Sequence, residues 1–346
     1  HAWMYNFLTM FKAVVLYVQA NGDLFGPDPI VWLDVFCVKQ EAAAIAKSPQ
    51  WFIDTFQKCI REINTVLMVL SPCEDPIPMK RLWCCVEIFA AIQTKSRFFI
   101  TLPSVEMELL LDKVKKNHRF LPSMLARIQT AKAICGMPGE KDPKKIKEND
   151  ENAAAIKAAM ELANVTNSEM DALILGKIKP AVVEALVRAA EDEEDQVEKG
   201  KTLKSVGIIH RDEGRYEEAA ALLSRAVAVL KDAEGEVGDA TLAAMSSLAI
   251  AYDRLSKYDE QLKIDETILS TYSIKYGNRH AETLKAKAGV ALAVANTGKL
   301  KEAAEMEEEV LADRKALLGD NHVETLLGMY NLGGRYCDLK EYTKAQ

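Results

Sequence analysis

The sequence predicts a chain of two parts, an N-terminal α/β domain and an all-α solenoid of repeated helical hairpins. In the first hundred residues, short apolar runs that are typical of buried strands alternate with segments whose apolar residues recur at helical spacing. From about Val197 onward, apolar, small and aromatic residues recur with a period of 42 residues. Such a period is typical of repeat proteins, in which each unit buries its apolar face against its neighbours.

The α/β domain is predicted from the order of its elements. Helices are expected at Trp3–Ala20, Trp51–Ile63, Arg81–Lys95 and Val105–Asn117, and strands at Ile30–Phe36, Thr65–Leu70 and Arg97–Leu102. Strands that alternate with helices in this way form a parallel sheet with helices on both faces. The run Thr65–Leu70 is apolar throughout, which is typical of a strand that is buried on both faces.

The segment between the two parts is predicted to be a connector. A helix is expected from His118 to about Thr130, followed by a charged linker with proline and glycine at Gly136–Asn152 and short Ala-rich helices at Ala153–Glu191. We therefore place an α/β domain at 1–135, a connector at 136–196 and the solenoid at 197–346.

The repeat is visible as sets of residues that lie 42 positions apart. These sets are Tyr216, Tyr258, Leu300 and Tyr342; Val206-Gly207, Leu248-Ala249, Val290-Ala291 and Leu332-Gly333; Gly235, Gly277 and Gly319; and Ala219, Gln261, Ala303 and Ala345. The small member of each pair lets two helices approach closely. Gln261 is the one residue in its set that is not small. His280 and His322 lie at the turns between units, where helix capping or turn packing is favoured over metal binding because no ligand set accompanies them.

These residues resemble tetratricopeptide repeats. The pattern L-G-x-x-Y-x-x-x-x-x-Y-x-x-A is complete from Leu332 to Ala345, and G-x-x-H-x-E-T-L occurs at Gly277–Leu284 and Gly319–Leu326, as in the kinesin-light-chain subclass. The resemblance implies a curved solenoid whose concave groove binds a protein partner. It also implies groove-lining positions on the first helices, and these are Ser205, Ser247, Gly289 and Asn331.

Two stretches of the N-terminal part resemble the Toll/interleukin-receptor (TIR) family. They are Val31–Gln40, which also resembles fungal heterokaryon-incompatibility domains, and Ser71-Pro72-Cys73 with Arg81–Glu87, in which Trp83, Cys84 and Glu87 match a W-C-x-x-E segment. The resemblance covers about residues 1–130 and implies a flavodoxin-like parallel sheet. The first strand of such a sheet would precede Trp3, so we expect the sheet to lack that strand or to fill its place with another segment.

The TIR resemblance implies two alternative roles. In catalytic TIR domains the matching glutamate supports cleavage of the nicotinamide–ribose bond of NAD, so Glu87 is the candidate catalytic carboxylate and Trp83 a candidate cofactor contact. A glutamate early in a helix is also ordinary, because the helix dipole favours it there. We therefore expect an interaction scaffold without a cofactor, in which the TIR-like domain self-associates or docks. The alternative is an NAD-cleaving signalling enzyme with the repeats as sensor.

Composition and charge indicate which classes of ligand and which cellular compartment are expected. The formal net charge of −7, from 44 basic and 51 acidic residues, argues against a nucleic-acid-binding surface. The seven cysteines include no CxxC pair and no zinc spacing, so we expect a reduced intracellular compartment and no metal. No apolar run is long enough to span a membrane. His1 and the helical pattern at Gln346 suggest that both ends are cut, which leaves room for an upstream organelle-targeting segment.

Overall fold

The computed structural model describes residues 7–25, 49–127, 129–135, 141–162, 165–341 and 343–344. The chain divides into two compact units, His1–Ala189 and Ala190–Gln346. Each unit has its own set of buried apolar residues.

The first unit combines a small parallel sheet with helices. Its helices are α1 (Phe7–Ala20), α2 (Gly22–Phe25), α3 (Pro49–Ile63), α4 (Leu82–Gln93), α5 (Ser104–Lys116), α6 (Phe120–Leu125), α7 (Pro143–Leu162) and α8 (Asn167–Glu191), and its strands are β1 (Thr65–Val69) and β2 (Arg97–Thr101). Short 3-10 turns lie at Ile77–Lys80 and Thr130–Lys132. The predicted strand Ile30–Phe36 lies outside the described residues.

The sheet contains two described strands, and β1 pairs with β2 in parallel, with Thr65 opposite Arg97 and Val69 opposite Thr101. The helix α4 connects them, as the sequence predicted for this part of the chain. The five residues of β1 are half-buried, whereas the sequence predicted burial on both faces. Among the described strands, β1 has one neighbour. The flavodoxin-like arrangement stays a prediction.

The connector differs from the sequence prediction, because α7 begins at Pro143 inside the expected linker. Proline favours the first position of a helix, and Asp142 Oδ1 accepts a hydrogen bond from the amide of Lys144 at 2.9 Å. Farther along, Lys147 lies 3.9 Å from Glu151, one turn away. The charges that suggested a solvated linker therefore belong to an exposed helix, and Asn167–Glu191 forms one long helix.

The second unit consists of antiparallel helical hairpins. Its helices are α9 (Gln196–Asp212), α10 (Tyr216–Glu234), α11 (Asp239–Arg254), α12 (Tyr258–Tyr276), α13 (Ala281–Asn296), α14 (Leu300–Leu318) and α15 (Val323–Asp338). Each helix packs on the next, so a hairpin buries its apolar face against its neighbours. One such layer contains Ala219, Ala220, Leu223, Leu248 and Ala251, all buried. The first helices of the hairpins are α9, α11, α13 and α15, and the second helices are α10, α12 and α14.

The turns repeat as regularly as the helices. Gly235, Gly277 and Gly319 follow the second helices with φ of 86°, 85° and 85°, the left-handed region that favours glycine. The capping prediction for the histidines is confirmed. The Nδ1 atoms of His280 and His322 accept hydrogen bonds from the amides of Glu282 and Glu324 at 3.3 and 3.2 Å.

The turn after α11 predicts a stabilising substitution. Ser256 has φ of 57°, where the equivalent Gly214 and Gly298 have 78° and 91°. Since a left-handed backbone disfavours any residue with a Cβ, Ser256→Gly is expected to raise the free energy of unfolding by about 1 kcal/mol. Urea denaturation measures this change, with Ser256→Ala as the control that keeps the Cβ. A glycine variant no more stable than the alanine variant would contradict the explanation.

Candidate protein-binding groove

Successive first helices contact each other from α9 to α13. The helix α9 contacts α11 more extensively than α10 contacts α12, although each second helix packs against the first helices before and after it. Between α11 and α13, Asn296 Nδ2 donates a hydrogen bond to Asp253 Oδ1 at 2.8 Å. The side on which successive helices approach more closely is the inner side of a curved array. This places α9 and α11 on the inner side, and the 42-residue repeat predicts the same position for α13 and α15.

The predicted groove positions do not form one exposed row. Ser205 and Ser247 are buried, and their hydroxyl groups donate hydrogen bonds to the carbonyls of Lys201 and Ala243 on their own helices, both at 3.0 Å. Gly289 is half-buried, and Asn331 is exposed. Serine hydroxyls that bond four residues back along a helix are common and reflect local geometry. The assignment of these four positions to partner binding stays a prediction.

Apolar residues recur three positions farther along α9, α11 and α13, and two of them are exposed. They are Ile208, Ile250 and Leu292, and we call them the apolar row. Ile250 and Leu292 are 46% and 45% exposed, and Ile208 is half-buried. The sequence signal was available, since these residues share the same 42-residue spacing. Periodicity alone could not separate this row from buried apolar residues on the other side of the same helices.

Polar side chains gather beside the apolar row where α11, α12 and α13 meet. The cluster consists of Asp253, Gln261, Asp265 and Asn296, and we call it the acidic cluster. Gln261 Nε2 donates a hydrogen bond to Asp265 Oδ2 at 3.3 Å. Burial raises the pKa of Asp265 from 3.8 to about 6, and the charge of Asp253 adds to this rise, while the hydrogen bond from Gln261 opposes it. Asp265 therefore changes charge near pH 6.

The next repeat shows how a carboxylate at this position can be neutralised. Glu307 on α14 is 42 residues after Asp265 and is buried. Its Oε1 lies 3.3 Å from Arg335 Nη2 on α15. The residue equivalent to Arg335 beside Asp265 is Ala293, which has no charge to offer. The two repeats thus place an acid at the same point and differ in its counter-ion.

Models of one known protein family match parts of the second unit. Two models of the family described as "Tetratricopeptide repeat" match residues 199–260 and 283–324. These residues form tetratricopeptide repeats. No curated protein matches the chain.

Solved structures resemble part of the chain. A kinesin light chain of Podosopora anserina with nearly identical TPR-like repeats is 22% identical, with a TM-score of 0.44, and the match covers 49% of this chain and 82% of that one. BtubC (BKLC) from P. vanneervenii is 16% identical, with a TM-score of 0.43, over 69% of this chain and 86% of that one.

Outside the tetratricopeptide repeats, the predicted NAD-site residues lie on α4. Glu87 is half-buried, and its charge adds to the effect of burial in raising the pKa of Cys85. Trp83 lies in the first turn of the helix, and its side chain falls outside the described residues. The roles of Glu87 and Trp83 in binding or cleaving NAD stay predictions.

A carboxylate that sequence reasoning missed lies at the carboxyl edge of the sheet. Glu106, near the start of α5, accepts hydrogen bonds from the Ser71 hydroxyl and from the amide of Cys73, just after β1. Burial, together with the charge of Glu106, raises the pKa of Cys73 to about 11. Ligands of open α/β sheets usually bind at this edge. Here Glu106 fastens the loop after β1 to α5.

Within the described ranges, no three His, Cys, Asp or Glu side chains are grouped so that they could hold a metal ion. None of the helices in that part of the chain combines the length and apolarity that a membrane span requires.

Proposed function

We propose that this chain is an interaction scaffold whose tetratricopeptide repeats, of the kinesin-light-chain type, bind a peptide segment or helix of a partner protein along the first helices. The observation that carries the proposal is the apolar row, in which Ile250 and Leu292 remain about half exposed at equivalent positions of adjacent repeats. Apolar side chains repeated along a concave surface offer regularly spaced contacts to an extended or helical ligand. In the same proposal, the TIR-like N-terminal part supports self-association or docking.

The groove is tested with a defined probe. A peptide is selected from a random displayed library against the complete chain, and its affinity is measured by fluorescence anisotropy. Ile250→Glu and Leu292→Glu are each expected to weaken binding about thirtyfold, which is the effect of losing one interface hot spot. A glutamate at either position would place an unpaired charge against the apolar part of the ligand.

Ile274 provides the matched control. It lies on the second helix α12 and is 85% exposed, so Ile274→Glu introduces the same charge outside the proposed groove. Unchanged affinity in this variant, together with a loss in the two groove variants, supports the proposal. Equal affinity in all three variants, or failure to select any peptide that depends on Ile250 and Leu292, would show that the first helices are not the binding surface.

A further inference from the structure

Gln261 is an unusual residue at the centre of the acidic cluster. The equivalent residues in the repeats on either side are Ala219 and Ala303. Gln261 is only 4% exposed. Its Nε2 donates a hydrogen bond to Asp265, which directs the amide into the cluster. Its Oε1 is buried and has no hydrogen-bond partner within residues 165–341. A buried acceptor without a donor is costly, so a hydrogen-bond donor placed here would be stabilising.

The two carboxylates of the cluster have no cationic partner among the described residues. In the part of the chain that the structure describes, neither Asp253 nor Asp265 forms an ion pair with lysine or arginine. The α13 residue Lys287 is paired with Glu309, and Lys285 is exposed one turn before Gly289. The charge that acts on Asp265 from α11 is Asp253, which repels it. An added cation would therefore be stabilised by both carboxylates.

The cluster is reachable from the groove because Gly289 has no side chain. Gly289 lies on α13 three residues before Leu292, on the same helix face. A Cβ at this position would lie 3.7 Å from Cγ of Asp265, so any longer side chain would extend over the carboxylate. Asp265 remains only partly buried. A ligand side chain that passes Leu292 can therefore reach the acidic cluster.

We propose that Asp253, Asp265 and Gln261 bind the lysine or arginine side chain of a partner peptide whose apolar neighbours contact the apolar row. In this proposal the ammonium or guanidinium group donates hydrogen bonds to the two carboxylates and to Gln261 Oε1, so one side chain satisfies both the negative charge and the buried acceptor. This inference rests on the proposed function, and it specifies the chemistry of the partner as basic and apolar residues side by side.

The experiment uses the peptides selected against the complete chain. We expect most of them to carry a lysine or arginine next to an apolar residue. Replacing that basic residue by glutamine should weaken binding to the unmodified chain about tenfold and should have no effect on the D253N/D265N variant. Glu266→Gln, an exposed change on the same helix, is the matched control and should bind both peptides as the unmodified chain does.

A second variant keeps the charges and blocks the path to them. Gly289→Leu is expected to abolish the preference for the basic peptide over its glutamine form. Because Asp265 loses its charge as the pH falls below about 6, that preference should also decline there in the unmodified chain and not in Asp265→Asn. Selected peptides that bind through Ile250 and Leu292 without a basic residue would overturn this inference and leave the proposed function intact. Peptides whose binding does not depend on Ile250 or Leu292 would overturn both this inference and the proposed function.

Discussion

Gly207→Val is expected to destabilise the second unit by about 3 kcal/mol, because α9 and α10 leave no room for a side chain between them. A Cβ on Gly207 would lie 2.7 Å from Leu223 Cγ and 3.4 Å from the Ala219 carbonyl oxygen. Leu223 and Ala219 are themselves fully buried. The clash can be relieved only by moving the helices apart or by forcing Leu223 out of its rotamer, and both disturb the first repeat.

Hydrogen exchange of the α9–α11 amides in the complete chain measures this effect within the unit concerned. The matched control is Gly334→Ala on α15, where an added Cβ has no neighbour within 4 Å. That variant should gain up to about 1 kcal/mol, because alanine is the better helix former. If protection of α9–α11 is the same in Gly207→Val as in the unmodified chain, α9 and α10 do not pack as closely as 2.7 Å between a Gly207 Cβ and Leu223 Cγ requires.

Asp265→Asn is expected to stabilise the chain by about 2 kcal/mol above neutral pH, in spite of the loss of a charged groove residue. The pKa of Asp265 is raised from 3.8 to about 6 in the folded chain, chiefly by burial. Between these two values the folded state therefore holds a proton that the unfolded state releases. As the pH rises through this window, the free energy of unfolding falls, and above it the folded chain carries an unpaired, partly buried carboxylate. Asparagine has the same shape and never acquires that charge.

Urea denaturation at a series of pH values tests this prediction. The stability difference between Asp265→Asn and the unmodified chain should be near zero below about pH 4 and should grow until the pH passes about 6. Glu266→Gln, exposed on the same helix, should show no such growth. Parallel curves for Asp265→Asn and the unmodified chain would contradict the raised pKa. Residues that serve binding often reduce the stability of the folded chain. A gain in stability when Asp265 is replaced is therefore what a binding role for this residue predicts.

The repeat could be read from the sequence because its signals are local. Turn glycines such as Gly277 and close-packed small residues such as Gly207 are required by backbone geometry alone, and they recur at a fixed spacing. The surface of the groove could not be read in the same way. Ser247 and Ile250 both recur with the period, and only the packing of neighbouring helices decides that Ser247 is buried and Ile250 exposed.

The acidic cluster around Gln261 also depends on packing between helices, which the sequence does not show. The sequence showed that Gln261 departs from the small residues at equivalent positions. It could not show that Asp253, from another helix, lies close enough to act on the charge of Asp265. In the first unit, the strands β1 and β2 were predicted because an apolar run bounded by turn residues is a local signal. The helix α7 was missed because its exposed charges resemble those of a linker.

The most direct test of the account is to locate a bound peptide on the chain. A selected peptide that carries a photoreactive diazirine beside its basic residue is cross-linked to the unmodified chain, and the attachment sites are mapped by mass spectrometry. We predict attachment to α11 and α13, near Ile250, Gly289 and Leu292. Attachment confined to the second helices, for example around Ile274 on α12, would contradict the assignment of the first helices as the partner-binding surface.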